Sequence, residues 1–244
     1  MKKTSLDEVD KFVSEHIGDF HQSRINRVKK IKLKQVLQKK NPYLFKAKNI
    51  MTAEKLIESL LHAYLSSSEE ELFGGFLEEL AIFIAEKTVA GKKSPATGID
   101  LEFKRAGVVY LVSIKSGVNW GNSSQYAALR DRFKKAVQVL KQSKSVKSVQ
   151  PVLASCYGKR KSMNNGEYLS ICGQEFWHFI SGNRNLYTDI IEPLGHQAKQ
   201  HNQHYDEELA VVINKFTAEF SKEFCAHGKI DWKMLVQFNS GNLV

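Results

Sequence analysis

"GIDLEFKRAGVVYLVSIKSG", residues 98 to 117, is the stretch on which the reading of the whole chain turns. Its pattern predicts a hairpin, with one strand over residues 99 to 103, a Lys-Arg-Ala-Gly turn, and a second strand over residues 108 to 114. Asp100 and Glu102 stand two apart, so on a strand they share one face, and Lys115 closes a run of Val, Ile and Leu apolar enough to be buried. An unpaired charge at a buried strand end costs several kcal/mol, so the lysine needs acidic neighbours. Asp100 and Glu102 on the adjoining strand supply them. The same three groups also suit phosphodiester hydrolysis. Hard oxygen ligands hold Mg²⁺, the metal activates a water and binds the scissile phosphate, and an ammonium steadies the charge that develops. An ordinary cross-strand ion pair would use the same residue types.

Outward from the hairpin, the pattern is mostly helical. Residues 5 to 40 carry Leu6, Val9, Phe12, Val13 and Ile17 at helical spacing, then a basic run over residues 24 to 40 that contains no acid. That run is either a solvated face or a helix lying along phosphates. Asn41-Pro42 ends it, and a helix over residues 52 to 65 follows with Thr52 as its cap. Ser66, Ser67, Ser68, Glu69 and Glu70 predict a fresh helix start, leading into a long core-packed helix through Phe73, Phe76, Leu77, Leu80, Phe83 and Ile84. After the hairpin, the polar loop from Asn119 to Ser124 leads into a helix starting near Gln125. "VKSVQPVLASCYG" (146 to 158) predicts a buried strand that ends in a Gly-Lys-Arg-Lys loop, and residues 173 to 188 and 205 to 227 are helical again. The order predicts an α/β core with an N-terminal helical arm and a C-terminal helical layer.

The chain has 244 residues, 42% of them hydrophobic, which is enough for a sizeable core. A formal net charge of +10 favours a polyanionic partner. Cys156, Cys172 and Cys225 are scattered, with no zinc spacing, which points to a reducing compartment. The Met-Lys-Lys start continues into acidic and polar residues, and no apolar run approaches the roughly 20 residues of a membrane span. The expectation is a cytoplasmic protein with no membrane partner.

Gly98-Ile99-Asp100, followed across a short hairpin by Ser113-Ile114-Lys115, resembles the PD-(D/E)XK nuclease motif. "SIKSGVNWGNSSQ" (113 to 125) is similar to type II restriction endonucleases of the PmeII-like group. So are "NPYLFKAKN", "LSSSEEELFGGFLEELAIFIA", "CGQEFWHFISGN", "LYTDIIEPLGHQAK" and "IDWKMLVQFNS", so that the resemblance covers residues 41 to 240. It implies a restriction-endonuclease-like core, a mixed central β-sheet flanked by helices. It also implies Mg²⁺-dependent cleavage of double-stranded DNA at a short site, and a cognate DNA methyltransferase in the host. In these terms residues 1–50 are a helical arm with the basic run, and residues 51–244 are the nuclease domain with its C-terminal helices.

By the resemblance, Asp100 is the metal-binding aspartate, Lys115 the catalytic lysine, and Ile114 a ligand through its carbonyl. One position departs from the family pattern: Ser113 stands where an acid is usual. Either catalysis is impaired or another carboxylate fills the gap. Glu102 is one candidate. The resemblance implies that Glu78, on the preceding helix, is the better one, because the superfamily often has a helical glutamate facing the site; Glu79 is its competitor, but Glu78 lies at the edge of the buried stripe. Ser116, Asn119, Asn122, Ser123, Ser124 and Gln125 are short polar groups placed to meet phosphate or base edges, or simply to cap a helix. Trp120 is a wedge against DNA or a core anchor.

Cys156-Tyr157 reads as a buried strand end, His196 as structural, and a Ser113/Lys115 hydrolase dyad would leave Asp100 unexplained. A double-strand break at a palindromic site favours a homodimer. The surplus helices over 1 to 40 and 173 to 227 would supply its interface, and Lys29 and Lys30 would border the DNA. A catalytically impaired DNA-binding protein and a repair or junction-cleaving nuclease are the alternatives.

Overall fold

The structure is a computed structural model that describes residues 5–143 and 146–242. It contains, in chain order, α1 (Leu6–Lys30), α2 (Leu33–Lys39), α3 (Pro42–Ala47), α4 (Ala53–Val89), β1 (Lys92–Lys93), β2 (Leu101–Arg105), β3 (Val108–Lys115), α5 (Ser123–Lys141), β4 (Ser148–Ser155), β5 (Met163–Asn164) and β6 (Leu169–Cys172). Then come α6 (Gln174–Ser181), α7 (Leu186–Asp189), α8 (Ile191–Leu194), α9 (Ala198–Phe224), β7 (Cys225–Ala226), β8 (Lys229–Ile230) and α10 (Trp232–Ser240). Two compact units interleave along the chain: residues 1–17 with 73–196, and residues 18–72 with 197–244. Sequence suggested a division at 50/51. The contacts instead draw their boundaries within α1 and α4.

The first unit is built on a mixed sheet of order β1-β2-β3-β4-β6-β5 among the described residues. β2 and β3 pair antiparallel from Leu101↔Val112 to Arg105↔Val108, and β3 and β4 pair parallel from Val108↔Ser148 to Lys115↔Ser155. The β2–β3 turn is tighter than expected. Ala106 and Gly107, at φ 50 and 80, make a two-residue connection whose twist suits a hairpin. Central β3 is buried from Leu111 to Ile114, which accounts for its apolar run. Leu129, Phe133 and Ala136 of α5 close over Leu111 and Leu153. Phe103, Tyr110 and Phe179 form a second aromatic group with ring centroids 5.1–5.4 Å apart.

Three expectations need correction. The helix restart at residues 66 to 70 does not occur, because α4 runs unbroken through it. Leu61, Leu65 and Ser68 are buried at helical spacing, so the inward stripe continues through the serines. Tertiary packing overrides the cap signal. The expected helix over residues 5 to 40 is interrupted at Lys32, which is extended at φ -120, ψ 130. Finally, β5 and β6 add a sheet edge that sequence did not reveal, because four residues are too few for a periodic signal.

The second unit is helical and carries its own core. Ile25 and Val28 of α1, Val36 and Leu37 of α2, Leu56, Ile57 and Leu61 of α4 and Phe216, Phe220 and Phe224 of α9 belong to one cluster, with Leu235 of α10. Among the described residues, no helix is long and apolar enough to cross a membrane.

Candidate active site

The hairpin brings Asp100 to the end of β3. The Asp100 amide donates to the Val112 carbonyl at 2.9 Å, which extends the β2–β3 ladder by one step. The carboxylate then folds over the facing strand. Its Oδ2 accepts from the Ile114 amide at 2.6 Å and from the Ser113 hydroxyl at 3.3 Å. Lys115 Nζ lies 3.9 Å from the same oxygen. The other carboxylate oxygen has no hydrogen-bond partner among the described residues. So the buried strand ends on a lysine because an aspartate, itself held by two donors of that strand, stands opposite.

Glu78 lies on α4 and is half-buried, whereas Glu79 is exposed. Burial, then the negative charge of Asp100, pushes the Glu78 carboxyl above the ordinary carboxylate range, with Lys93 and Lys115 opposing the rise. Burial, then the negative charge of Glu78, pushes the Cys156 thiol up to about 12, with Lys115 opposing the rise. Cys156 is therefore a protonated strand end without nucleophilic character.

Glu102 does not join this group. Lys92 Nζ approaches one of its oxygens at 3.0 Å and the Ser94 hydroxyl donates to the other at 3.1 Å. It shares a strand face with Asp100, but β1 and the turn after it take up its charge. Ser113 is fully buried and donates to Asp100, so it is neither a free nucleophile nor a stand-in for a carboxylate. His196 sits after α8, its amide donating to the Pro193 carbonyl at 2.9 Å.

The loop after Lys115 serves first as a helix cap. Asn122 Oδ1 accepts from the Gln125 amide at 3.1 Å while Gln125 Oε1 accepts from the Asn122 amide at 2.9 Å, a capping box. Ser124 Oγ donates to Asn122 Oδ1 at 2.7 Å. The cap is thus Asn122, not one of the serines. Ser116, Asn119 and Ser123 have no such internal bond among the described residues. Trp120 packs against the Leu111–Leu129–Phe133 cluster, its ring tilted 52° to that of Tyr126 with centroids 4.7 Å apart, and Lys115 Nζ lies 5.4 Å from its ring centroid. It acts as the wall beside the lysine.

The second unit holds the basic run of residues 24 to 40, and there much of the charge is neutralised. Arg24 pairs with Glu69 at 2.8 Å, Arg27 with Glu71 at 3.7 Å, Lys29 with Glu208 at 2.8 Å and Lys34 with Glu223 at 3.3 Å. Lys40 donates to the Ala63 carbonyl at 2.7 Å. Lys30, Lys32 and Lys39 remain without an ion pair among the described residues.

Among the described residues, no group of three or more His, Cys, Asp and Glu side chains is assembled that could hold a metal ion. What the site offers is a pair of carboxylates, Asp100 and Glu78, in which the charge of the first raises the cost of ionising the second, with one aspartate oxygen uncommitted. An all-oxygen donor set of this kind, strained by its own negative charge, fits a hard dication.

A six-stranded mixed sheet flanked by helices, with an aspartate and a lysine meeting at adjacent strand ends, defines a restriction-endonuclease-like α/β protein. The sequence profile described as type II restriction endonuclease EcoO109I matches residues 7–202. The chain belongs to that family, and with it to the DNA-binding endonucleases. No curated protein sequence matches the chain at a significant level.

Proposed function

We propose that the chain is a PD-(D/E)XK enzyme of the PmeII-like group, a Mg²⁺-dependent type II endonuclease that hydrolyses double-stranded DNA at a short specific site. The observation that carries this reading is the junction of Asp100, Lys115 and the Ile114 amide, with the Glu78 carboxylate close enough to feel Asp100. Asp100, Glu78 and the Ile114 carbonyl would hold the metal. When bound, it would supply Lewis-acid polarisation of the scissile phosphate and a more acidic water.

The chain's own residues prepare that chemistry. The Ile114 amide and Ser113 hydroxyl fix Asp100 in one orientation, which leaves its second oxygen to face the ligand. Lys115, flanked by the Trp120 ring, directs its ammonium at the phosphate and stabilises charge as the P–O bond breaks. Glu78 takes the place of the usual acid at Ser113. A homodimer would supply the second active site for a double-strand break, and a cognate methyltransferase would protect host DNA in the cytoplasm.

The test is incubation of the purified protein with phage DNA and Mg²⁺, followed by sequencing of the ends. Discrete cuts at a recurring site are expected, and Asp100→Ala or Lys115→Ala should abolish them while DNA binding persists. Cutting without divalent metal, or full activity in Lys115→Ala, would refute the assignment. A monomer by light scattering, both free and DNA-bound, would refute the dimer. The second reading, a DNA-binding protein that has lost cleavage, rests on Ser113 and predicts site-specific binding without cuts. The family match favours restriction over a repair or junction-cleaving role.

A further inference from the structure

A second cationic element stands at the strand end that carries Lys115. Because β3 and β4 run parallel with Lys115 opposite Ser155, the chain leaves both strands at the same end of the sheet. The pairing continues past the strands, with the Cys156 amide donating to the Lys115 carbonyl at 2.8 Å and the Tyr157 amide to the Ser116 carbonyl at 3.0 Å. Beyond that the two loops are pressed together. A Cβ on Gly117 would meet the Tyr157 ring at 2.6–2.8 Å, and one on Gly158, at φ +108, would meet Val118 at 2.7 Å. The positive φ requires glycine at Gly158, and a side chain at Gly117 would have to displace the exposed Tyr157 ring. Arg160 then ties the loops, its Nη2 donating to the Val118 carbonyl at 3.3 Å. The Cys172 thiol donates to the Arg160 carbonyl at 3.5 Å, anchoring the segment to the end of β6.

Residues 159 to 161 thus form three consecutive cations on a loop that is tethered, not free. Lys159 and Lys161 are exposed and have no ion pair among the described residues. The acid that faces this segment, Glu175 of α6, accepts a hydrogen bond from Ser162. Adjacent like charges repel unless a polyanion opposes them, and a tethered loop loses little freedom when it binds one. We infer that Lys159 and Lys161 contact backbone phosphates of the DNA next to the scissile one, with Arg160 as the strut that holds the loop beside Lys115. The inference rests on the nuclease reading, since it takes that reading's substrate as its ligand. It contrasts with the basic run of the second unit, where four cations are committed to acids.

The experiment uses sonicated phage DNA and the full chain in EDTA, with affinity measured across a salt series. Each phosphate contact contributes about −0.9 to the slope of log K against log salt. The Lys159→Ala/Lys161→Ala double variant should therefore bind about tenfold or more weakly at moderate salt, with a slope shallower by roughly 2. Its melting temperature should match wild type, because the lysines hold nothing else; Lys159→Gln/Lys161→Gln repeats the test with the side-chain length largely kept. An unchanged affinity and slope in the double variant, in protein whose wild type binds and cuts, would overturn the inference and leave the function intact. So would loss of the slope in Lys30→Ala/Lys32→Ala instead. A wild type that neither binds nor cuts DNA would overturn the proposed function itself.

Discussion

Residues 24–40 and residues 158–161 are both basic in sequence, and their cations have different fates. In the first segment Arg24, Arg27, Lys29 and Lys34 each meet a carboxylate from another helix of the same unit, so their charge is spent on holding helices together. In the second, Arg160 is bound to a carbonyl and Lys159 and Lys161 face solvent beside the strand end that carries Lys115. On the proposal above, a short run whose lysines are left uncompensated is a better sign of a DNA surface than a long run half of whose cations meet acids. What matters is the charge remaining after the fold has satisfied itself.

The sharpest way to separate chemistry from charge is Glu78→Gln, which should reduce cleavage by at least about two orders of magnitude while leaving DNA binding near wild type. The same substitution should stabilise the metal-free fold. The folded carboxyl is raised above its unfolded value by burial and Asp100, so its ionised form costs stability as pH rises through and above the ordinary carboxylate range. At pH 7 the variant should melt higher than wild type, and the gap should close in acid. Added Mg²⁺ should raise the melting temperature of wild type but not of the variant. Equal melting at pH 7 would show that Glu78 is solvated.

A middle-sized effect belongs to the structural cations. Arg24 bonds Glu69, lies 3.9 Å over the Tyr205 ring and donates to Asn202 at 3.2 Å. Arg24→Ala should cost about 2–3 kcal/mol in unfolding, since it strands a partly buried carboxylate, with no change in the salt slope of DNA binding. Next to it, His21 stacks on His201 at 4.3 Å, and burial, then His201 and Arg24, lowers its pKa to about 4. Since the folded value lies below the unfolded 6.5, stability is complete above pH 6.5 and declines as pH falls toward 4. Urea melts of wild type and His21→Phe across this window would show it, the variant losing less stability in acid. A salt-slope change in Arg24→Ala would break the contrast between the two segments.

The smallest effect is expected at Lys29. Its pair with Glu208 is half exposed, so Lys29→Ala should cost under about 1 kcal/mol and weaken DNA binding less than loss of Lys159 and Lys161. Competition binding of the two variants on the same DNA would rank them, and the opposite ranking would restore the long run as the DNA surface.

The central hairpin was legible in sequence because alternation and a Gly turn act over a few neighbouring residues, and the meeting of Asp100 with Lys115 follows from that local pairing. The ion pairs of the basic run were not legible. Glu69 and Glu208 lie far along the chain from Arg24 and Lys29, and nothing local shows which acids will face which cations. Glu102 shows the converse. Its place two residues from Asp100 made it a candidate ligand, but two-residue β1 supplied Lys92 and took its charge. The restart expected at Ser66–Ser68 failed because capping residues also tolerate a helix interior when buried neighbours continue the stripe.

The interleaving of the two units bears on the order in which the protein can be made. Every residue of the first unit, Asp100, Lys115 and Glu78 included, has been synthesised by position 196, whereas the second unit still awaits Phe216, Phe220, Phe224 and Leu235 to close its core. Its two halves are separated by the whole of residues 73–196, so the contacts that join them are non-local and slow to form. A ribosome that stalls between these points would hold a chain with all its proposed catalytic residues and half a helical core. The second unit can therefore close its core only after every residue of the first has been made.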